Sequence, residues 1–151
     1  MKQILISENG KVRTWRVDSF DTWPDDYALR WPHFKPSEMA SKCGSPGLLV
    51  DARLMDSLEA LRALAGVPLH VNSGYRSKKH NKAERGSPKS QHMLGKAADI
   101  RTHRVTVEAL AALAERIPAF AGGGIGWYPE DGFVHVDVRN GKARWEGHGD
   151  G

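Results

Sequence analysis

Residues 90–99 read Ser-Gln-His-Met-Leu-Gly-Lys-Ala-Ala-Asp, placing an imidazole (His92) seven positions before a carboxylate (Asp99). Gly95 between them permits a sharp turn, and the small Ala97 and Ala98 permit close packing. Farther along, His135 and Asp137 lie two apart in the apolar run Phe133–Val138, so on a strand both point to one face. If that strand runs beside the one carrying Asp99, then His92, Asp99 and His135 converge. Two imidazoles and a carboxylate are an open ligand set for catalytic zinc, with a fourth position left for water. The chain has one cysteine, Cys43, which excludes both an internal disulfide and a Cys-rich zinc cage. Of the seven histidines, His33, His70, His80, His103 and His148 have no partner at metal-ligand spacing and read as surface groups. His80 lies close enough to Arg76 to touch a substrate as an alternative. Cys43 itself reads as a small apolar packing residue.

These groups need elements to hold them. Residues 3–17 predict a hairpin about Asn9-Gly10, a pair suited to a type I′ turn. Residues 18–49 are rich in Trp, Pro and polar residues and read as irregular, with a short helix starting at Pro36. Val50, Leu54, Leu58, Leu61 and Ala65 recur at helical spacing, predicting a helix over about 51–65 that Gly66 and Pro68 end. Leu69–Ser73 reads as a strand, followed by a long polar loop to Leu94 and a strand over Ala97–Arg101. Thr106 caps a helix bearing Val107, Leu110, Ala114 and Ile117, with Pro118 as its stop. Gly122-Gly123-Gly124 reads as a flexible turn. Ile125–Tyr128 and Phe133–Val138 form a second hairpin through Pro129-Glu130-Asp131-Gly132. Trp127 precedes the last strand and could line the cleft; the other tryptophans read as core or sheet-edge anchors. The expected fold is a single α+β domain with a small, mainly antiparallel sheet, flanking helices and an N-terminal β-hairpin. Within it, 1–32 holds the hairpin and irregular segment, 33–139 the core carrying the site, and 140–151 a polar tail.

The chain has 151 residues, 40% of them hydrophobic and 26% charged, which suits one folded domain rather than disorder. Its net charge is +4, and Arg76, Lys78, Lys79, Lys82, Arg85, Lys89 and Lys96 cluster within 21 residues. That suits an anionic partner such as nucleic acid, an anionic membrane or an anionic cell wall, or simply a solvated loop. No stretch approaches the roughly 18 apolar residues of a membrane span. Met1–Val17 is too polar for a secretory signal, so the expectation is synthesis in the cytoplasm.

The ordered stretch from Ser90 to Asp99 and the later His135 resemble the zinc D-alanyl-D-alanine carboxypeptidase family. That family also includes cell-wall endopeptidases, dipeptidases and the hedgehog signalling domain. Its signature, Ser-x-His-x-x-Gly-x-Ala-x-Asp, falls here on Ser90, His92, Gly95, Ala97 and Asp99. At a usage of roughly one in fifteen each, five fixed residues match by chance in about one such chain in several thousand. Ser73-Gly74-Tyr75-Arg76-Ser77, with Asn81 after it, resembles a second family segment. The resemblance covers about residues 33–139 and leaves the N-terminal hairpin outside.

The resemblance implies that His92, Asp99 and His135 bind Zn2+ and that Arg76 stabilises an oxyanion or holds a substrate carboxylate. Ser90 and Gln91 either fix the loop or contact substrate. It implies a peptidase acting on D-amino-acid-containing bonds of peptidoglycan stem peptides, as a carboxypeptidase or an endopeptidase. An endolysin-like enzyme that reaches the wall after release, or as part of a phage, fits such a chain. Nucleic acid then drops out as an expected partner. Two positions depart from the family: many members carry a Glu three before the third zinc His or a His two before it, where this chain has Gly132 and Phe133. Asp137 is the leading alternative base, with ring orientation of His135 as its other role. Glu130 and Asp131 are further alternatives. The same gap keeps open a non-catalytic zinc-binding module of this fold.

Overall fold

In the computed structural model, which describes residues 1–147, the chain folds into two small sheets joined through one apolar core. The N-terminal hairpin forms as expected: β1 (Lys2–Glu8) and β2 (Lys11–Val17) pair antiparallel about Asn9 and Gly10, both at positive φ. The segment read as irregular is more ordered than its composition suggests. It holds the short helices α1 (Tyr27–Arg30) and α2 (Pro36–Met39) and a strand, β3 (Gly47–Asp51). β3 pairs parallel with β1, giving the order β2-β1-β3, so the hairpin shares its sheet with a strand of the core region. Val50 therefore belongs to this strand and not to the helix face, and Asp51 caps the helix that follows by accepting the Arg53 N–H.

That helix, α3 (Ala52–Ala65), ends at Gly66 as its sequence predicts. It presents fully buried Leu54, Met55, Leu58 and Leu61, each contributing roughly 1.5–3 kcal/mol by leaving water. On one side it packs on β1 and β3, and on the other on α5 (Val107–Ala114) and α6 (Pro118–Ala121). Thr106 caps α5 by accepting the Ala109 N–H. Pro118 corrects the sequence reading: it does not simply stop a helix reaching Ile117 but occupies the first turn of α6, where its missing N–H costs nothing.

The second sheet has five strands in the order β4-β5-β7-β6-β8. These are β4 (His70–Ser73), β5 (Ala97–Arg101), β6 (Gly124–Tyr128), β7 (Phe133–Asp137) and β8 (Ala143–Glu146). All pairings are antiparallel except β6 with β8. The expected polar tail thus contributes an edge strand, and Gly124 opens β6 rather than closing a loose turn. The polar loop between β4 and β5 carries α4 (Lys78–Ala83) and a 3-10 turn (Gln91–Leu94). Val134 and Val136 of β7 alternate toward α5 and α6, while Phe133, His135 and Asp137 share the opposite face. No helix among the described residues is long and apolar enough to cross a membrane.

Candidate metal centre

Strand register brings the distant residues together. β5 and β7 pair so that Asp99 lies directly opposite His135 and Ala97 opposite Asp137, placing all four on one face. His92 arrives from the 3-10 turn above that face. Ser90 starts the turn by accepting the His92 N–H at 3.2 Å, and Gly95 ends it at φ +70. A Cβ at Gly95 would run into the Leu49 carbonyl of β3, so glycine serves here both for its backbone conformation and for close approach. The Gly95 carbonyl in turn accepts the Asp51 N–H at 2.9 Å, tying the turn to the first sheet.

His92, Asp99 and His135 are all buried, and one ligand atom from each lies within 4.8 Å of the others. The surrounding hydrogen bonds select those atoms. His92 Nδ1 lies 2.7 Å from the Gly74 carbonyl and must donate to it, which leaves Nε2 as a lone pair; that atom is buried and, among the described residues, without a hydrogen-bond partner. It sits 3.3 Å from Asp99 Oδ1. His135 Nε2 donates to Asp137 Oδ2 at 2.7 Å, turning Nδ1 toward Asp99 Oδ1 at 3.0 Å. A buried orphan nitrogen, a second imidazole with its far N–H fixed by a carboxylate, and a shared carboxylate oxygen are what a divalent cation with nitrogen and oxygen ligands requires. The residues therefore fit the metal that their spacing implies.

The electrostatics agree. Burial by itself would raise the Asp99 carboxyl, yet the His92 and His135 imidazoles beside it hold it well below the usual carboxylate range. Burial disfavours the His135 imidazolium, but Asp137 and Asp99 on either side draw its pKa above the ordinary value. The centre thus attracts positive charge, and a cation meets the same field that otherwise holds a proton.

Arg76 lies behind Asp99 and is almost fully buried. Its Nη2 is 3.4 Å from Asp99 Oδ2, its Nε donates to Ser73 Oγ at 3.0 Å, and its Nη1 points to Asn81 Oδ1 at 3.4 Å. Asp99 thus offers one oxygen to the imidazoles and the other to the guanidinium. Asn81 also donates to the Ser87 carbonyl at 2.9 Å, fastening the loop that leads to Ser90.

Asp137 is fully buried and its carboxylate is saturated. Oδ1 accepts the N–H groups of Gly124 and Arg139, at 2.9 and 3.1 Å, and Oδ2 accepts from His135 Nε2 and from Arg139 Nη2 at 2.7 Å. Burial opposes its ionisation, but these donors hold it below the usual range. It meets His135 on the ring nitrogen remote from the metal cluster.

Two clefts flank the centre. One, of about 260 Å³, is lined by Lys42, Arg76, His80, Glu84, Asp99 and Asp131 among others. The other, of about 500 Å³, is lined by Lys89, Ser90, Gln91, His135, Arg139 and Trp145 among others. Asp131 therefore shares a cleft with Asp99, whereas Glu130 is not among the residues lining either one. Trp127 corrects the sequence reading: it lies on the opposite face of β6, paired with Val134, and lines a separate cleft with Ala111 and Ala112 of α5. Trp145 is the tryptophan that reaches the site, its ring centroid 5.0 Å from that of His135. A tryptophan in an otherwise polar, Gly-rich stretch was the only sequence signal for it. Cys43 also differs from expectation: it is exposed, with Sγ 3.2 Å from Ser41 Oγ and 3.3 Å from Ser77 Oγ. Exposed His33 pairs with Glu59, and His103 contacts Arg101; neither joins the centre. His148 lies outside the described residues.

The peptidoglycan L,D-endopeptidase MepK of Escherichia coli (strain K12) is 34% identical over 119 residues, covering 74% of this chain and 60% of that protein. The probable peptidoglycan L,D-endopeptidase MepK of Haemophilus influenzae is 37% identical over 90 residues, covering 56% of this chain and 46% of that one. The chain thus spans three fifths or less of the length of these relatives. A family match runs over residues 32–137, taking in every residue of the metal cluster. The chain belongs to the peptidase M15 family.

Proposed function

We propose that this chain is a zinc-dependent endopeptidase that hydrolyses an amide bond beside a D-configured residue in peptidoglycan stem peptides. The observation that carries this reading is the buried, unpartnered Nε2 of His92 facing Asp99 and His135 between two open clefts. A centre open on two sides suits a chain running through it better than a terminus held in a blind pocket. The names of the relatives support peptidoglycan as substrate.

His92, Asp99 and His135 would hold the zinc, which would supply Lewis acidity for the scissile carbonyl and lower the pKa of the attacking water. The protein's own groups do the rest. Gly74 and Asp137 fix the tautomers of His92 and His135. Arg76 donates to Asp99 Oδ2 and lines the smaller cleft, where its positive charge can offset a carbonyl oxygen that becomes negative. Of the two roles open to Asp137, ring orientation is the better supported, because both its oxygens are already bonded. Asp131 is then the proton carrier we favour, taking a proton at its carboxylate and returning it to the leaving amine. Ser90 holds the ligand turn, and Gln91 borders the wider cleft. We propose that the enzyme acts on the cell wall after release, or as part of a phage particle.

A second reading, a zinc-binding module without hydrolytic activity, draws on Gly132 and Phe133 standing where many relatives carry the base. Mass spectrometry of muropeptides after incubation with zinc-loaded protein separates the two. New fragments from one defined bond support the peptidase; bound zinc with an unchanged muropeptide profile supports the module.

A further inference from the structure

The wider cleft has a feature that metal binding does not use. Trp145 of β8 pairs in register with Gly126 of β6, and the missing side chain there admits the indole; a Cβ at Gly126 would overlap it. The indole Nε1 donates to the Tyr128 hydroxyl at 2.9 Å, and the Arg139 guanidinium lies 5.3 Å from the indole centroid. The ring is therefore fixed by Gly126, Tyr128 and Arg139 beside His135, and stays half-exposed. An aromatic wall fixed this firmly costs little entropy on binding and offers flat apolar area.

The charge of this cleft is one-sided. Lys89 and Arg139 line it, and among the described residues no carboxylate lines it. Arg139 is largely compensated by Asp137, so the exposed Lys89 is the cation with most charge to offer. The smaller cleft differs, since Glu84 and Asp131 offset Lys42 there. The two arms of a bound peptide thus meet different fields.

We infer that the cleft formed by Trp145, Lys89 and Arg139 is a subsite for a carboxylate-bearing residue of the peptide, its aliphatic stem lying on the indole and its carboxylate facing Lys89. This rests on the peptidase reading for its substrate but not for its binding chemistry. It makes Trp145 and Lys89 specificity residues for which side of the metal the acidic arm occupies.

The test is an NMR titration of zinc-loaded, 15N-labelled protein with glutarate and, separately, with its uncharged diamide. The Trp145 indole N–H, assigned by its loss in Trp145→Phe, should shift saturably with glutarate and not with the diamide. Lys89→Met should weaken glutarate binding about fivefold, as loss of one partly exposed charge contact does. A carboxylate that merely ligated the metal would bind Lys89→Met as tightly as wild type, and that result overturns the subsite. In parallel, muropeptides with acidic and with amidated residues beside the scissile bond are compared by kcat/KM. Equal cleavage of both, with equal losses in Lys89→Met, removes the subsite and leaves the peptidase reading standing. Glutarate binding as described, without cleavage of any muropeptide, removes the peptidase reading and leaves the subsite.

Discussion

Replacing Asp137 by Asn separates its two possible roles. In the native site the carboxylate meets only donors: the Gly124 and Arg139 N–H groups at Oδ1, His135 Nε2 and Arg139 Nη2 at Oδ2. A carboxamide carries one NH2, so one of these two donor groups must face another donor. If the NH2 faces His135, the ring accepts at Nε2 and its proton moves to Nδ1, the nitrogen turned toward Asp99. That removes a ligand lone pair from the centre. If the NH2 faces Gly124, a buried backbone N–H loses its acceptor, costing about 1–3 kcal/mol. Outer partners of metal-binding histidines typically change metal affinity by about 10–100-fold, or about 1.4–2.8 kcal/mol. Asp137→Asn should therefore weaken zinc binding by that factor, measured by competition with a chelator of known affinity. Activity should fall in parallel and recover in part at saturating zinc. Unchanged zinc affinity, with kcat lost at every zinc concentration, would refute this reasoning and return the general-base role to Asp137.

Gly95→Ala should lower stability by more than the roughly 1–2 kcal/mol of a left-handed alanine, because its Cβ also meets the Leu49 backbone; thermal unfolding and zinc content should fall together. Arg76→Lys cannot reach Ser73, Asn81 and Asp99 at once and should cost about 2 kcal/mol in unfolding free energy, measured by urea denaturation. Asp56 is partly buried, which by itself raises its carboxyl, but Arg30 and Trp31 donate to it and hold the pKa below the ordinary value. A lowered folded-state pKa stabilises above the unfolded carboxylate range, and the benefit is lost as pH falls through the folded value. Asp56→Asn should thus shrink the loss of Tm between roughly pH 5 and pH 3; an unchanged acid limb would dismiss this pair as a stabilising element.

Much of the site is legible because half of it is local. Ser90, His92, Gly95 and Asp99 lie in one stretch whose turn chemistry is self-contained. His135 stands out through its alternation with Val134 and Val136. The pairing of Asp99 with His135 is a matter of register between separate strands, so spacing permits it without requiring it. Strands β3 and β8 show why the rest is not legible in the sequence. Leu48 and Val50 abut an amphipathic helix, and Val50 continues its apolar periodicity across the Asp51 cap. β8 is four residues long, mostly half-exposed, and pairs parallel with β6, so neither alternation nor a hairpin turn announces it. Trp145 was hidden with it. Asp137 was legible as a neighbour of His135, but not its engagement by Arg139 and Gly124, which alters the role it can best play.

The most direct measurement is an anomalous difference map from crystals of zinc-loaded protein, collected at the zinc edge. The account predicts one strong peak about 2.0–2.2 Å from His92 Nε2, Asp99 Oδ1 and His135 Nδ1, absent in His92→Ala. A peak elsewhere, or one that survives the loss of His92, would contradict it.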